Sequence, residues 1–231
     1  MLSVILLGFL VGMQHATEAD HMAAVASLAT RSRSARETAR QGLFWGIGHT
    51  LTLFFFGGLV LAMDSLVPQQ LSHLLELAVG VMLVLLGGDV LRRLIRDRIH
   101  FHTHQHGATQ HFHAHSHYPG KPHNDAAHHH KHPKRLALRS LLVGMTHGMA
   151  GSAALIVLAL ESVSSTAQGL LYIALFGVGS IFGMLILAMV ISLPLRYSAG
   201  ALTWAHNGLV ATVGLVTVGL GGSMIYQFGV L

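Results

Sequence analysis

Six apolar stretches, each long enough to cross a bilayer, limit what this chain can fold into more than any other feature. A hydrocarbon core about 30 Å thick takes roughly 20 apolar residues of helix. Residues 2–30, 41–63, 72–94, 138–160, 167–193 and 204–228 all meet that length. Within lipid every backbone N–H and C=O must be bonded inside the chain, so such stretches become helices. Only 10% of the 231 residues are charged, against about a quarter in a soluble domain. The sequence therefore predicts an all-α integral membrane protein with six transmembrane helices. Residues 2–10 carry no basic leader and read as the start of a span, not as a cleavable signal. There is no cysteine, which excludes disulfides and thiolate metal sites.

The basic residues set the orientation. Arg31, Arg33, Arg36 and Arg40 lie between spans one and two. Arg92, Arg93, Arg96, Arg98, Lys121, Lys131, Lys134, Arg135 and Arg139 flank or occupy the segment between three and four, and Arg196 follows span five. These are all the Lys and Arg of the chain, and all fall on one side of the predicted bundle. By the positive-inside rule that side is cytoplasmic. The expected place is thus a bacterial inner membrane with both termini extracytoplasmic. The net charge of +5 is explained by topology, and no nucleic-acid partner is expected.

The two halves resemble each other. Leu10-Val11-Gly12-Met13-Gln14-His15 matches Leu142-Val143-Gly144-Met145-Thr146-His147 at all but one position. Gly46-Ile47-Gly48-His49 parallels Gly177-Val178-Gly179-Ser180, and the glycines at 80, 87 and 88 parallel those at 214, 221 and 222. Three spans per half is an odd number, so the halves are expected to be inverted repeats, with a substrate site at their interface. The expected organisation is residues 1–98 as the first three-helix repeat, 99–135 as a cytoplasmic histidine-rich loop and 136–231 as the second repeat. The plainer alternative is that small residues recur in any packed helix bundle.

The first span contains His15-Ala16-Thr17-Glu18-Ala19-Asp20-His21. A charged group at mid-membrane costs about 2.5–3.5 kcal/mol on insertion scales, so such groups need a partner, a cavity or a metal. Histidine with carboxylate suits borderline divalent ions such as Ni²⁺, Co²⁺ and Zn²⁺. On an ideal helix His15 and Asp20 point about 140° apart. The span is therefore expected to break between His15 and His21; the alternative is a face shared by His15, Glu18 and Met22. His21, His49 and His147 lie at similar distances from the arginines that end their spans, so they should sit at one depth. The candidate metal ligands are His15, Glu18, Asp20, His21, His49 and His147. A single membrane histidine can equally be a hydrogen-bonded packing residue. Met13, Met22 and Met145 read as packing or lipid-facing residues. Asp89, one turn from Arg92 and Arg93, reads as a local ion pair.

At these residues the sequence resembles the nickel/cobalt permease family, whose hallmark helix carries His-x4-Asp-His, here His15 through Asp20-His21. Gly48-His49-Thr50 is similar to the family's second feature, and the resemblance extends over all six spans. The better-studied members have eight spans and an Asp where this chain has Glu18. The resemblance implies a secondary transporter of Ni²⁺ or Co²⁺, related to the short permeases that serve urease and hydrogenase maturation. Such a permease would hand its ion to a cytoplasmic metallochaperone and can form homo-oligomers.

Between spans three and four, residues 100–134 carry alternating histidines (His100, His102, His104, His106; His111, His113, His115, His117) and then His128, His129, His130 and His132. The composition suggests a mobile loop. In an extended chain the alternation puts imidazoles on one side, so the loop reads as a metal buffer or sensor, or else as a plain solvated linker.

Other functions remain as alternatives: an efflux permease, a membrane-embedded zinc hydrolase and a haem anchor. The absence of His-Glu-x-x-His speaks against the second, and carboxylates beside the ligands against the third. No phosphate-binding Gly-x4-Gly-Lys-Ser/Thr occurs, so the chain is not itself an ATPase. No catalytic residue and no resident cofactor are expected.

Overall fold

The computed structural model describes residues 2–32, 34–63, 68–97, 100–106, 109–115, 133–150, 165–201 and 203–229. The described residues form seven helices: α1 (Leu2–His15), α2 (Ala19–Ala29), α3 (Ala35–Met63), α4 (Gln69–Asp97), α5 (Pro133–Ala150), α6 (Thr166–Ala201) and α7 (Thr203–Gly229). Among the described residues, four stretches are long and apolar enough to cross a membrane: Ala35–Val60, Gln69–Arg96, Ala167–Ser198 and Trp204–Gly229. The first expected span is divided between α1 and α2. The fourth begins in α5, and its remaining residues, 151–160, lie outside the described ones. Glu161 and Asp64 lie outside them too.

Large apolar side chains face outward. Leu7, Phe55, Leu85 and Leu193 are more than half exposed, while the interior sets His21, His49 and His147 among small and large apolar residues such as Ala16, Ala24, Leu83 and Met184. A broad apolar exterior around buried polar rings suits a lipid solvent.

Small residues let the backbones touch. A methyl group on Gly12 would overlap the carbonyl oxygen of Phe176, and one on Gly179 that of Phe9, where α1 lies along α6. On α5 and α3, Gly144 meets the carbonyl of Trp45 in the same way and Gly48 that of Leu141. Between α4 and α7, Gly87 faces the Gly214 carbonyl and Gly221 the Gly80 carbonyl. α1 and α2 follow α6 in the same direction: Gly12 packs at Phe176, Ala16 at Gly183, and Ala29 in one cluster with Leu195. α3 runs the other way, with Gly46 on Ile181 and Gly177 on Thr50. Interhelical hydroxyl bonds add to this packing. Thr50 donates to the Gly177 carbonyl at 3.0 Å, and the Ser27 and Thr217 hydroxyls are 3.0 Å apart.

One end of the bundle is marked by arginine. Asp89, near the end of α4, pairs with Arg31 just past α2, with Arg93 at 3.3 Å and with Arg139 on α5 at 3.7 Å. The local pair expected from spacing forms with Arg93. Two of the three partners come from other elements, which spacing along one helix could not show.

In the histidine-rich segment, His100–His106 and Thr109–His115 form an antiparallel two-stranded sheet, β1 and β2. Part of the segment expected to be a mobile loop is therefore regular. Its alternation of histidine with Phe101, Thr103, Phe112 and other residues is a period-two pattern that suits extended chain. The register sets His100 opposite His115, His102 opposite His113 and His104 opposite His111.

Candidate metal centre

α1 stops at His15, a turn occupies residues 16–18, and α2 starts at Ala19. The break is capped from within. The N–H groups of Thr17 and Glu18 donate to the carbonyls of Gln14 and His15, and the Thr17 hydroxyl also donates to Gln14 at 2.6 Å. A continuous helix would have sent His15 and His21 to different faces. The break brings their ring centroids to 4.3 Å.

Two further imidazoles reach the same place. His49, on α3, lies 5.3 Å from His15 and 5.2 Å from His21, centroid to centroid. His147, on α5, lies 4.1 Å from His21 and 6.1 Å from His49. All four are buried, with His15 the most exposed at 5%. Four helical segments thus deliver four histidines to one point in the bundle.

The carboxylates orient the rings. His15 Nδ1 is 2.8 Å from Glu18, His21 Nδ1 is 2.9 Å from one Asp20 oxygen, and His147 Nε2 is 2.8 Å from the other. Asp20 Oδ1 also accepts the His21 backbone N–H at 2.8 Å. A carboxylate accepts only, so each bonded nitrogen carries the proton and the opposite nitrogen keeps its lone pair. His15 Nε2, His21 Nε2, His147 Nδ1 and both nitrogens of His49 have no hydrogen-bond partner among the described residues. Buried ring nitrogens left bare cost free energy unless something else fills their lone pairs. An imidazole bonded at one nitrogen to a carboxylate and free at the other is the usual arrangement of a metal-ligating histidine.

Two groups of ligand atoms lie within 4.8 Å of one another: His15, His21 and His49, and Asp20, His21 and His147. His21 belongs to both. A three-imidazole group next to one with a carboxylate suits a borderline divalent cation.

All six residues singled out by sequence therefore lie at or beside this cluster, with Glu18 on its exposed rim. Met22 and Met145 are 41% and 40% exposed and point away. Sequence reasoning passed over three neighbours. Trp45 packs on His21 and His147 at 5.5 and 5.6 Å, and Phe176 packs on His15 at 5.2 Å. Glu76, half-buried on α4, is near enough to the carboxylates of Asp20 and Glu18 for like charges to act on it. Its signal was available: a carboxylate one turn inside an apolar span.

Over 230 residues the chain is 34% identical to the urease accessory protein UreH of Bacillus sp. (strain TB-90), covering 100% of this chain and 93% of that protein. No family model matches the chain, and no solved structure does.

Proposed function

The chain belongs to the nickel/cobalt permease-type family of the urease accessory protein UreH, and from that membership we propose that it is a secondary transporter carrying Ni²⁺ or Co²⁺ across the inner membrane through the histidine cluster. The observation that carries this reading is the set of bare, buried ring nitrogens on His15, His21, His49 and His147, with carboxylates on the opposite side of three of those rings. The ion is cargo. His15, His21 and His49 hold it, Asp20 aligns His21 and supplies negative charge, and His147 shares Asp20 from the second half of the chain.

The transporter reading extends to architecture. Six spans as two inverted repeats (residues 1–98 and 136–231, joined by 99–135) are supported by reciprocal packing. Gly12 on the Phe176 carbonyl is answered by Gly144 on that of Trp45, and Gly179 on Phe9 by Gly48 on Leu141. In each case the partners occupy matching positions in the two halves. The arginine-marked end faces the cytoplasm, and the histidine segment with it, so both termini face outward. An inside-negative potential favours inward movement of a cation by about 2.3 kcal/mol per charge per 100 mV, which makes uptake the expected direction. A cytoplasmic metallochaperone is the natural recipient.

The test is flux of radiolabelled Ni²⁺, Co²⁺ and Zn²⁺ into proteoliposomes of known orientation under an imposed potential. Saturable Ni²⁺ or Co²⁺ movement that follows the potential is the expected result. No flux of any of the three through correctly inserted protein would remove the reading.

A further inference from the structure

The geometry points to Trp45 and Phe176 as two plugs that close the histidine cluster toward opposite ends of the bundle. This rests on the transport reading and adds the barriers that such a path needs.

Both rings are fully enclosed, Trp45 at 0% and Phe176 at 1% exposure. Among the described residues they are the aromatic side chains in ring contact with the four imidazoles, Trp45 on His21 and His147 and Phe176 on His15. They lie on opposite sides. α3 leaves the arginine-marked end, and Trp45 precedes His49 by one turn, so it stands between the cluster and that end. α6 runs the other way, as Gly46 on Ile181 and Gly177 on Thr50 show. Phe176 therefore stands one turn toward the opposite end, clustered with Leu53 and Ile173. Helical side chains lean toward the N-terminus of their own helix, which carries each ring further out along the path from the cluster.

The two positions correspond. Trp45-Gly46-Ile47-Gly48 and Phe176-Gly177-Val178-Gly179 place an aromatic residue before the same small-residue stretch. The carbonyl of each ring-bearing residue is the one met by a glycine of the other half, Gly144 or Gly12. A divalent cation with any of its water shell cannot pass an enclosed apolar ring, so movement in either direction requires one ring to turn aside. Packing around Trp45 is looser on its arginine-end side than a filled core would be. A cavity of about 10 Å³, room for a single water, lies there between Val25, Leu28, Thr38, Gln41, Gly42 and Ala188, so the indole turns aside only if these side chains move with it. Among the described residues, Trp45 Nε1 and the Gln41 amide nitrogen are buried there without hydrogen-bond partners, so no polar bond pins the indole in place. One ring open at a time gives alternating access around a fixed site.

The chain lacks cysteine, so His49→Cys puts a single thiol in the cluster. Its labelling by a membrane-impermeant methanethiosulfonate is measured from each face of oriented vesicles, with Ser34→Cys in a separate chain marking the arginine end. With both rings present labelling should be slow from either face. Trp45→Ala should speed it at least tenfold from the arginine end only, Phe176→Ala at least tenfold from the other end only, and Trp45→Phe should keep it slow. Where an alanine variant does not insert, Trp45→Leu and Phe176→Leu are read in the same way. Acceleration from both faces, from the wrong face or from neither overturns the assignment. The labelling needs no metal, so its outcome is read apart from the transport reading, which is tested by Ni²⁺ and Co²⁺ flux.

Discussion

Histidines are gathered in two regions of this molecule by two different rules. In the bundle, His15, His21, His49 and His147 come from four separate helical segments and meet because glycine contacts and a broken helix bring those segments together. In the β1–β2 pair, three pairs of histidine positions stand opposite each other in register because one local rule, alternation in an extended chain, repeats along both strands. The first arrangement is costly to build. It buries polar rings in a lipid-facing bundle and leaves nitrogens bare, and such a cost is retained where the site has a use. The second is cheap and local, with histidine positions that can stand in for one another. Removing one residue should be severe in the first region and mild in the second.

The largest effect is expected at His21, the one histidine common to both ligand groups. Even partners that only orient a ligand are worth about 10–100-fold in metal affinity. His21→Ala should exceed that, read as equilibrium Ni²⁺ binding on protein lacking residues 100–132. Undiminished binding would mean that the bundle does not hold the ion. Asp20→Asn comes next. It keeps the shape but loses the charge that aligns His21 and His147, and should weaken binding about 10–100-fold. It should also reduce flux more than His147→Ala does, and the reverse order would move the centre of the site toward the second half.

A smaller effect tests the scaffold. Gly12→Ala sets a methyl group against the Phe176 carbonyl, whereas Gly88→Ala meets nothing within 4 Å. Overpacking typically costs about 1–3 kcal/mol, so the first variant should melt earlier in detergent and the second should match the parent. Equal melting of the two would show that the close approach of α1 and α6 is not required. The smallest effect on the site should come from the β1–β2 pair. Replacing residues 100–132 by a short polar linker should leave flux measurable and change its dependence on metal concentration. Complete loss of flux in correctly inserted protein would tie the two regions together.

Much of the bundle's histidine cluster was legible because its signals are local or countable. Four ionisable groups in one span stand out against apolar neighbours, and the 140° offset between His15 and Asp20 requires the break now seen at residues 16–18. Counting residues from the nearest arginines set His21, His49 and His147 at one depth. The roles of the carboxylates were not legible. Sequence cannot show that Asp20 bridges His21 and His147, because His147 is 127 positions away. Trp45 and Phe176 were hidden among other apolar residues, and the arginines on Asp89 from other elements escaped because spacing sees only its own helix. In the β1–β2 pair the alternation was visible, but the pairing of particular histidines depends on strand register, which a flat alternating pattern leaves weakly specified.

Uptake of radiolabelled Ni²⁺ by proteoliposomes carrying the chain without residues 100–132, measured with and without His21→Ala, tests the central claim most directly. Potential-driven uptake that persists without the loop and disappears with His21→Ala is the predicted result. Uptake at the parent rate in the His21→Ala protein, with normal insertion, would contradict a path through the buried histidine cluster.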